Sequence, residues 1–328
     1  MPAPTSPPSP PGRLLDSEQV QEALQSNPNL WETLKDVRFV RKGFLITRSQ
    51  DNDFLIDIIK EALTYHYPEP RGKPNFREPW KQVVPEPLKC FRETAFHLLI
   101  PKQWALYALA GTGVLNRAQN QMIPGLPLRS ETVFNPNRAL NETERCPQKT
   151  VVDFMETSLR KTGGAVVVSP VGTGKTVMAC RLIATLRLKT LVVMGNDGLL
   201  CQWEERIKEY LPGATVGKIQ GTKCEVDGND VILGMVQSLF SHDYSEMAMR
   251  QIGLVIFDEA HHASAPAFIN SLWQISCPYM VALTQNPSRK DGMTSVLYNF
   301  FSFNNLFCLN KLFRLNRFFY NWLFRFGE

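Results

Sequence analysis

Ala165-Val-Val-Val-Ser-Pro-Val-Gly-Thr-Gly-Lys-Thr-Val-Met-Ala-Cys180 decides how the rest of the chain is read. A β-branched run ends at Ser169-Pro170, turns through Gly172-Thr173-Gly174 and enters a helix at Lys175-Thr176, the strand, loop and helix order of a P-loop. Glycines at 172 and 174 let successive N–H groups face inward at a helix start, where the dipole also favours an anion. In a cradle made by Ser169, Pro170, Val171, Gly172, Thr173 and Gly174, the Lys175 ammonium reaches the β- and γ-phosphates and the Thr176 hydroxyl ligates Mg2+. Ser169 stands where the G-x-x-x-x-G-K-T form has its first glycine, and Pro170 biases it to extended backbone, so the strand closes without positive φ. Alone, the glycine turn also reads as an ordinary strand-helix connection; the sequence downstream argues against that.

The second anchor is Leu254-Val-Ile-Phe-Asp-Glu-Ala-His261. A fully apolar strand delivers Asp258 and Glu259 at its carboxyl end, the rim on which a P-loop opens. Asp258 suits the Mg2+ shell that bridges the phosphates, and Glu259 suits orienting and deprotonating the attacking water. A lone Asp-Glu would read as a solvated loop; behind a P-loop strand it does not.

Outward from these anchors, residues 150 to 300 alternate strand and helix. A helix is expected at Val151 to Leu159, the P-loop helix to about Leu188, a strand at Thr190-Met194, a helix at Leu199 to Tyr210, and further strands at 215–219, 231–235, 254–257 and 279–283. That order implies an α/β domain, a parallel sheet covered by helices over 141–300. Residues 13–140 read as a small α+β N-terminal domain: a helix within 14–36, a strand at Val37–Arg48, an amphipathic helix at Asp53–Leu63, proline-broken loop, then order from Phe91 to Leu106. The Gly-, Asn- and Pro-rich run 111–147 reads as a linker. Residues 1–12, half proline, read as a disordered tail.

Length and composition bound the rest. The 328 residues allow roughly two domains. A formal charge of +5 and a pI near 8.8 are compatible with nucleic acid but not diagnostic. Basic residues such as Arg181, Arg187, Lys189 and Lys223 read equally as a solvated face or a phosphate track. Seven scattered cysteines, with no C-x-x-C pair, read as reduced intracellular thiols rather than a disulfide framework or zinc site. No leader and no apolar run of about 18 residues is visible, so neither secretion nor a membrane span is expected.

Gly172-Thr-Gly-Lys-Thr176 followed by Asp258-Glu-Ala-His261 resembles motifs I and II of the superfamily 2 helicases, in the DEAH spelling. Arg145-x-x-Gln148 resembles the element by which such enzymes contact adenine. Gln202-Trp203 and Gly234-Met-Val-Gln-Ser238 look like flanks of nucleic-acid-facing motifs, and Pro287 to Gly292 resembles the segment after motif III. Phe91-Arg-Glu-Thr with Ile100-Pro-Lys-x-Trp-Ala-Leu106 is similar to the amino-terminal part of helicases of large nucleocytoplasmic DNA viruses, the poxvirus transcript-release helicases among them. The resemblance implies a RecA-like domain, ATP and Mg2+ as cofactors, DNA or RNA as partner, an intracellular setting (nuclear, cytoplasmic or virion), and catalytic roles for Lys175, Asp258, Glu259 and His261. His261, like His262, also reads as an ordinary surface histidine.

Thr284-Gln285-Asn286 replaces the small residues of the family's motif III, which puts coupling of hydrolysis to strand movement in question. The family's second RecA-like domain, which brings an arginine to the γ-phosphate, has no room in the 28 residues after position 300. The chain therefore reads as a first RecA-like domain, with turnover expected to be slow unless a protein partner or second copy supplies the other, since an arginine finger is worth about 10³ to 10⁵ in rate. The alternative reading is a non-catalytic nucleotide-binding interaction protein. Residues 301–328 turn abruptly to Phe, Leu, Asn and basic residues. They read as a shifted or truncated reading frame, as a basic amphipathic helix along Lys311, Arg314, Arg317, Asn321 and Arg325, or as a tail that stacks on single strands.

Overall fold

The computed structural model describes residues 14, 17–67, 86–129, 131–143, 146–259, 265–285 and 294–309. The proline-rich tail, Arg145, His261, His262, Asn286, the 287–292 segment and residues 310–328 lie outside the described residues.

The N-terminal part opens with α1 (Glu18–Ser26) and builds a five-stranded sheet from β1 (Val37–Val40), β2 (Gly43–Thr47), β5 (Arg92–Glu93), β6 (His97–Ile100) and β7 (Gln119–Asn120), in the order β5-β6-β2-β1-β7. The stretch 37–48, expected as one strand, is a hairpin: β1 and β2 pair antiparallel, Val40 opposite Gly43. Polar Arg41-Lys42 ahead of a glycine turns the chain where apolar alternation stops. Helices α2 (Asp53–Ala62), α3 (Lys102–Ala108) and α4 (Val114–Arg117) and the small pair β3 (Thr64–Tyr65) and β4 (Leu88–Lys89) complete it.

After the short pair β8 (Glu142–Thr143) and β9 (Cys146–Pro147), α5 (Gln148–Thr162) leads into β10 (Gly164–Val168), the P-loop and α6 (Lys175–Leu186). Then come β11 (Thr190–Met194), α7 (Asp197–Tyr210), β12 (Val216–Gln220), β13 (Lys223–Cys224), β14 (Val231–Met235), α8 (Val236–Ser241), α9 (Glu246–Arg250), β15 (Leu254–Asp258), α10 (Ala265–Ile275), β16 (Tyr279–Thr284), α11 (Thr294–Phe300) and β17 (Leu306–Cys308). The eight strands run β13-β12-β14-β11-β15-β16-β10-β17, all neighbours parallel except β12 and β13. This order sets the P-loop strand β10 beside β16, with β15 one strand further along. Strand β17 corrects the boundary drawn at residue 300: residues 301–309 belong to the fold, Phe301 is fully buried against Phe257 and Phe268, and Asn305 bonds Thr162 and Gly164. The abrupt change in composition hid a strand only three residues long.

Alternate residues of the central strands feed two cores, as a doubly covered parallel sheet requires. Val166, Leu191, Val193, Val255 and Phe257 face one way, into a core shared with α10, α11 and the N-terminal sheet. Ala165, Val167, Val192, Met194, Leu254 and Ile256 face α5, α6 and α7. The stretch 111–147, read as a linker, is hydrogen-bonded along the sheet's amino-terminal rim: Leu126 N–H to Gln251, Leu128 N–H to Arg187 and Arg129 N–H to Asp230.

Candidate nucleotide site

The site is assembled from residues that sit just after strands. Ser169 follows β10 and is fully buried; its N–H donates to the Thr284 carbonyl at 2.9 Å, tying the ends of β10 and β16 together. The chain then turns through Gly172 and Gly174, with φ of 81° and 82°. No side-chain-bearing residue sits easily in that left-handed region. At Gly174 a Cβ would also come within 2.3 Å of the Gln148 amide nitrogen, whereas Gly172 opens on free space. Thr173 Oγ1 donates to the Pro170 carbonyl at 2.8 Å and touches the Ser169 hydroxyl, closing the loop on itself. Gln148 holds it from outside: its amide donates to Thr173 O at 2.9 Å and its carbonyl oxygen accepts from Asn141 N–H at 2.7 Å.

Lys175 opens α6 with its ammonium folded back over the loop, 3.2 Å from Ser169 O, 3.4 Å from Pro170 O and 3.0 Å from a Glu259 carboxylate oxygen. The two charged side chains are only 11% and 16% exposed, so their attraction is poorly screened by water. Glu259 is held in the left-handed region at φ 52° by its N–H to Leu283 O, and its other carboxylate oxygen accepts from Gln285 N–H at 3.2 Å. A non-glycine residue there stores strain of about 1 kcal/mol or more, as residues at working sites often do.

Asp258, the last residue of β15, is buried. Its Oδ2 accepts the Trp203 indole N–H at 2.8 Å, while Oδ1 has no hydrogen-bond partner among the described residues. Burial pushes this carboxyl above the usual carboxylate range; the Trp203 hydrogen bond opposes, the Glu259 charge adds to the rise, and Lys175 opposes it. Thr176 lies half-buried in the first turn of α6, and Val171 is exposed at the loop's tip. No group of three or more His, Cys, Asp or Glu placed to hold a metal ion exists among the described residues. One orphaned buried carboxylate oxygen and one hydroxyl fit Mg2+, which takes few protein ligands and completes its shell with phosphate and water.

The structure thus brings together Ser169, Pro170, Thr173, Gly174, Lys175, Glu259 and Gln148. Two participants escaped the sequence reading. Trp203, expected near nucleic acid, is 1% exposed and bonded to Asp258, while its neighbour Gln202 faces solvent. Gln285, read only as a departure from a motif, supplies the N–H that steadies Glu259. Gln237, in the first turn of α8 and within one of the expected nucleic-acid segments, donates to Gly195 O at 2.9 Å in the loop between β11 and α7. Lys189, read as a surface cation, is buried and donates to Val226 O and the Gln251 side chain. No helix among the described residues is long and apolar enough to cross a membrane.

The family described as type III restriction enzyme, res subunit, matches residues 139–289. A protein of Acanthamoeba polyphaga mimivirus named as an ATP-dependent RNA helicase, L396, is 27% identical over 260 residues, which is 79% of this chain and 47% of that protein. The DNA 3'-5' translocase XPB2 of Sulfurisphaera tokodaii is 31% identical over 132 residues, 39% of this chain and 28% of that one. The chain therefore spans less than half the length of these relatives. The UvsW helicase of bacteriophage T4 superposes on 83% of this chain and 99% of its own at a TM-score of 0.55 and 14% identity, a likeness of fold. The large sheet is accordingly the RecA-like α/β sheet expected from the sequence.

Proposed function

We propose that this chain, whose residues 139–289 form a superfamily 2 helicase domain, binds Mg-ATP at the P-loop and uses its hydrolysis to move along or remodel DNA or RNA. The observation that carries the reading is the 3.0 Å approach of Lys175 to Glu259 across the P-loop mouth, with Asp258 one residue away. Residues 84 positions apart in sequence meet there because β10 and β15 end on one rim.

Lys175 has two anionic claimants, Glu259 and the phosphates of an incoming nucleotide. Transfer of the ammonium to the phosphates ends the Lys175 ion pair, and Glu259, whose second oxygen Gln285 N–H still orients, accepts a proton from the attacking water. The inward N–H groups of the Gly172–Gly174 turn and the start of α6 stabilise phosphate charge. Mg2+ would be held by Thr176 and Asp258 and supplies charge neutralisation between the phosphates when bound. The segments joined by Gln237 and Gly195, together with exposed Gln202, are the surface we assign to the nucleic-acid strand. Arg145 and Gln148 are assigned to the adenine side, and His261 to the link with the motif III segment. A partner protein or second copy is the proposed source of an arginine across the cleft.

The test is ATP hydrolysis with and without single-stranded DNA or RNA, beside equilibrium ATP binding, for the wild type, Lys175→Ala and Glu259→Gln. Stimulated turnover lost in both variants supports a motor. Binding without turnover supports the nucleotide-gated interaction module. A folded wild type that binds no ATP overturns the site.

A further inference from the structure

We propose that Trp203 is a positioning residue for the Mg2+ of this site, acting through Asp258 rather than touching nucleic acid; this rests on the ATP-site reading above. The observation is an asymmetry within one buried carboxylate. Asp258 Oδ2 takes the indole N–H at 2.8 Å, and among the described residues Oδ1 takes nothing. A buried carboxylate oxygen left unbonded costs about 1 to 3 kcal/mol and calls for an explanation, and at the end of β15, beside the P-loop, a bound cation supplies one. The indole fixes which oxygen is left unbonded. Its N–H is a donor only, so it bonds one oxygen and leaves the other turned away from it. Trp203 is itself immobile: it is 1% exposed within the core between α7 and the sheet, alongside Leu200, Ile207 and Met194. A rigid aromatic with one donor suits aiming a carboxylate, as outer-shell partners of metal ligands do.

The measurement is nucleotide affinity by equilibrium titration with a fluorescent ATP analogue, in excess chelator and across a Mg2+ series. Trp203→Phe keeps the ring and deletes the N–H. Its affinity without Mg2+ should stay within about twofold of wild type, whereas the Mg2+ needed for half-maximal tightening should rise about tenfold, the lower end of losses seen for outer-shell partners. Leu200→Ala, on the same buried face but without a bond to Asp258, controls for loosened packing and should leave the Mg2+ midpoint unchanged. In an Asp258→Asn background, Trp203→Phe should add nothing to the Mg2+ midpoint. The proposal is overturned by an unchanged midpoint in Trp203→Phe, by an equal shift in Leu200→Ala, or by a further shift on Asp258→Asn. A wild type that shows no nucleotide binding at all would instead remove the ATP site on which it rests.

Discussion

The two rims of the large sheet treat charge in opposite ways. At the carboxyl-terminal rim, Asp258 keeps one oxygen unbonded among the described residues, Glu259 sits in strained backbone, and Lys175 is shared between two carbonyls and a carboxylate that an incoming phosphate can displace. At the amino-terminal rim, buried charge is used up. Asp230, just before β14, accepts from Arg129 N–H at 3.1 Å, Arg129 Nε at 3.0 Å, Thr132 at 2.9 Å and Thr215 N–H at 3.1 Å. Lys189, just before β11, and Lys102, against Pro278 just before β16, donate to carbonyls, and Arg41 donates to Ile252 O and Met249 O. The lesson is directional. A parallel sheet presents both rims to polar chain, but one is fastened to the N-terminal part and the 111–147 segment, and the other holds bonding capacity for a ligand.

The sharpest way to break this contrast is Glu259→Gln. If the carboxyl rim is a working site, turnover should fall by about 10² to 10⁴, far more than the stability lost with the Lys175 ion pair, because the isosteric amide keeps an oxygen for Gln285 N–H and removes the charge that accepts the proton. Steady-state ATPase beside a urea melt reads both. A folding defect of equal size would place Glu259 among the fasteners.

Asp230→Ala should do the reverse. It leaves Thr132, Thr215 and half-exposed Arg129 without their acceptor, at roughly 3 kcal/mol in unfolding free energy, with ATP affinity per folded molecule unchanged. Burial alone would raise this carboxyl, but the hydrogen bonds from Thr215, Arg129 and Thr132 outweigh it and hold it below its ordinary value. Its contribution is therefore present above the unfolded pKa of about 3.9 and lost as pH falls through the lower folded value, and the wild type should lose that part of its acid sensitivity on substitution.

Lys102 sharpens the comparison from the other side, since a fastener can also carry a cost. Burial pushes its ammonium down to about 8, and its partner is the Pro278 carbonyl at 2.9 Å. Between about pH 8 and the unfolded value of about 10.4 the unfolded chain binds more protons, so stability rises with pH across that window. Lys102→Met removes a desolvation cost of roughly 3 kcal/mol and one hydrogen bond of about 1 kcal/mol, for a net gain of about 2 kcal/mol at neutral pH. Urea melts at pH 7 and pH 9.5 should show the gain shrinking as pH rises; equal gains at both would assign it to packing alone.

The two rims also differ in how legible they are from sequence. The carboxyl rim is written in short local patterns: Gly172-Thr-Gly-Lys-Thr176 and Leu254 to Glu259 each carry strand, turn and functional group within one stretch. The amino rim is not, because Arg129 and Asp230, or Lys102 and Pro278, are brought together only by the sheet order, and nothing in the spacing pairs them. Trp203 falls between: its place on α7 is readable, but its Asp258 partner depends on β11 and β15 being neighbours. The hairpin at Arg41-Lys42-Gly43 escapes for a local reason, since an apolar run on both sides of a single glycine reads as one strand.

The smallest effect tests whether position on a rim is enough to make a residue functional. Asn196 lies on the carboxyl rim, in the loop after β11, yet its side chain serves the fold, because Oδ1 accepts from Leu199 N–H at 3.0 Å and caps α7. Asn196→Ala should cost about 1 kcal/mol through the lost cap, visible as a small shift of the urea midpoint. Because Trp203 sits two helical turns into α7, beyond the reach of end fraying, the Mg2+ midpoint for nucleotide binding should not move. Asn196→Asp should restore stability, as an equally good cap that also favours the helix dipole. A large shift in Mg2+ dependence from Asn196→Ala would mean that the whole start of α7, and not the single indole N–H, sets the geometry of Asp258.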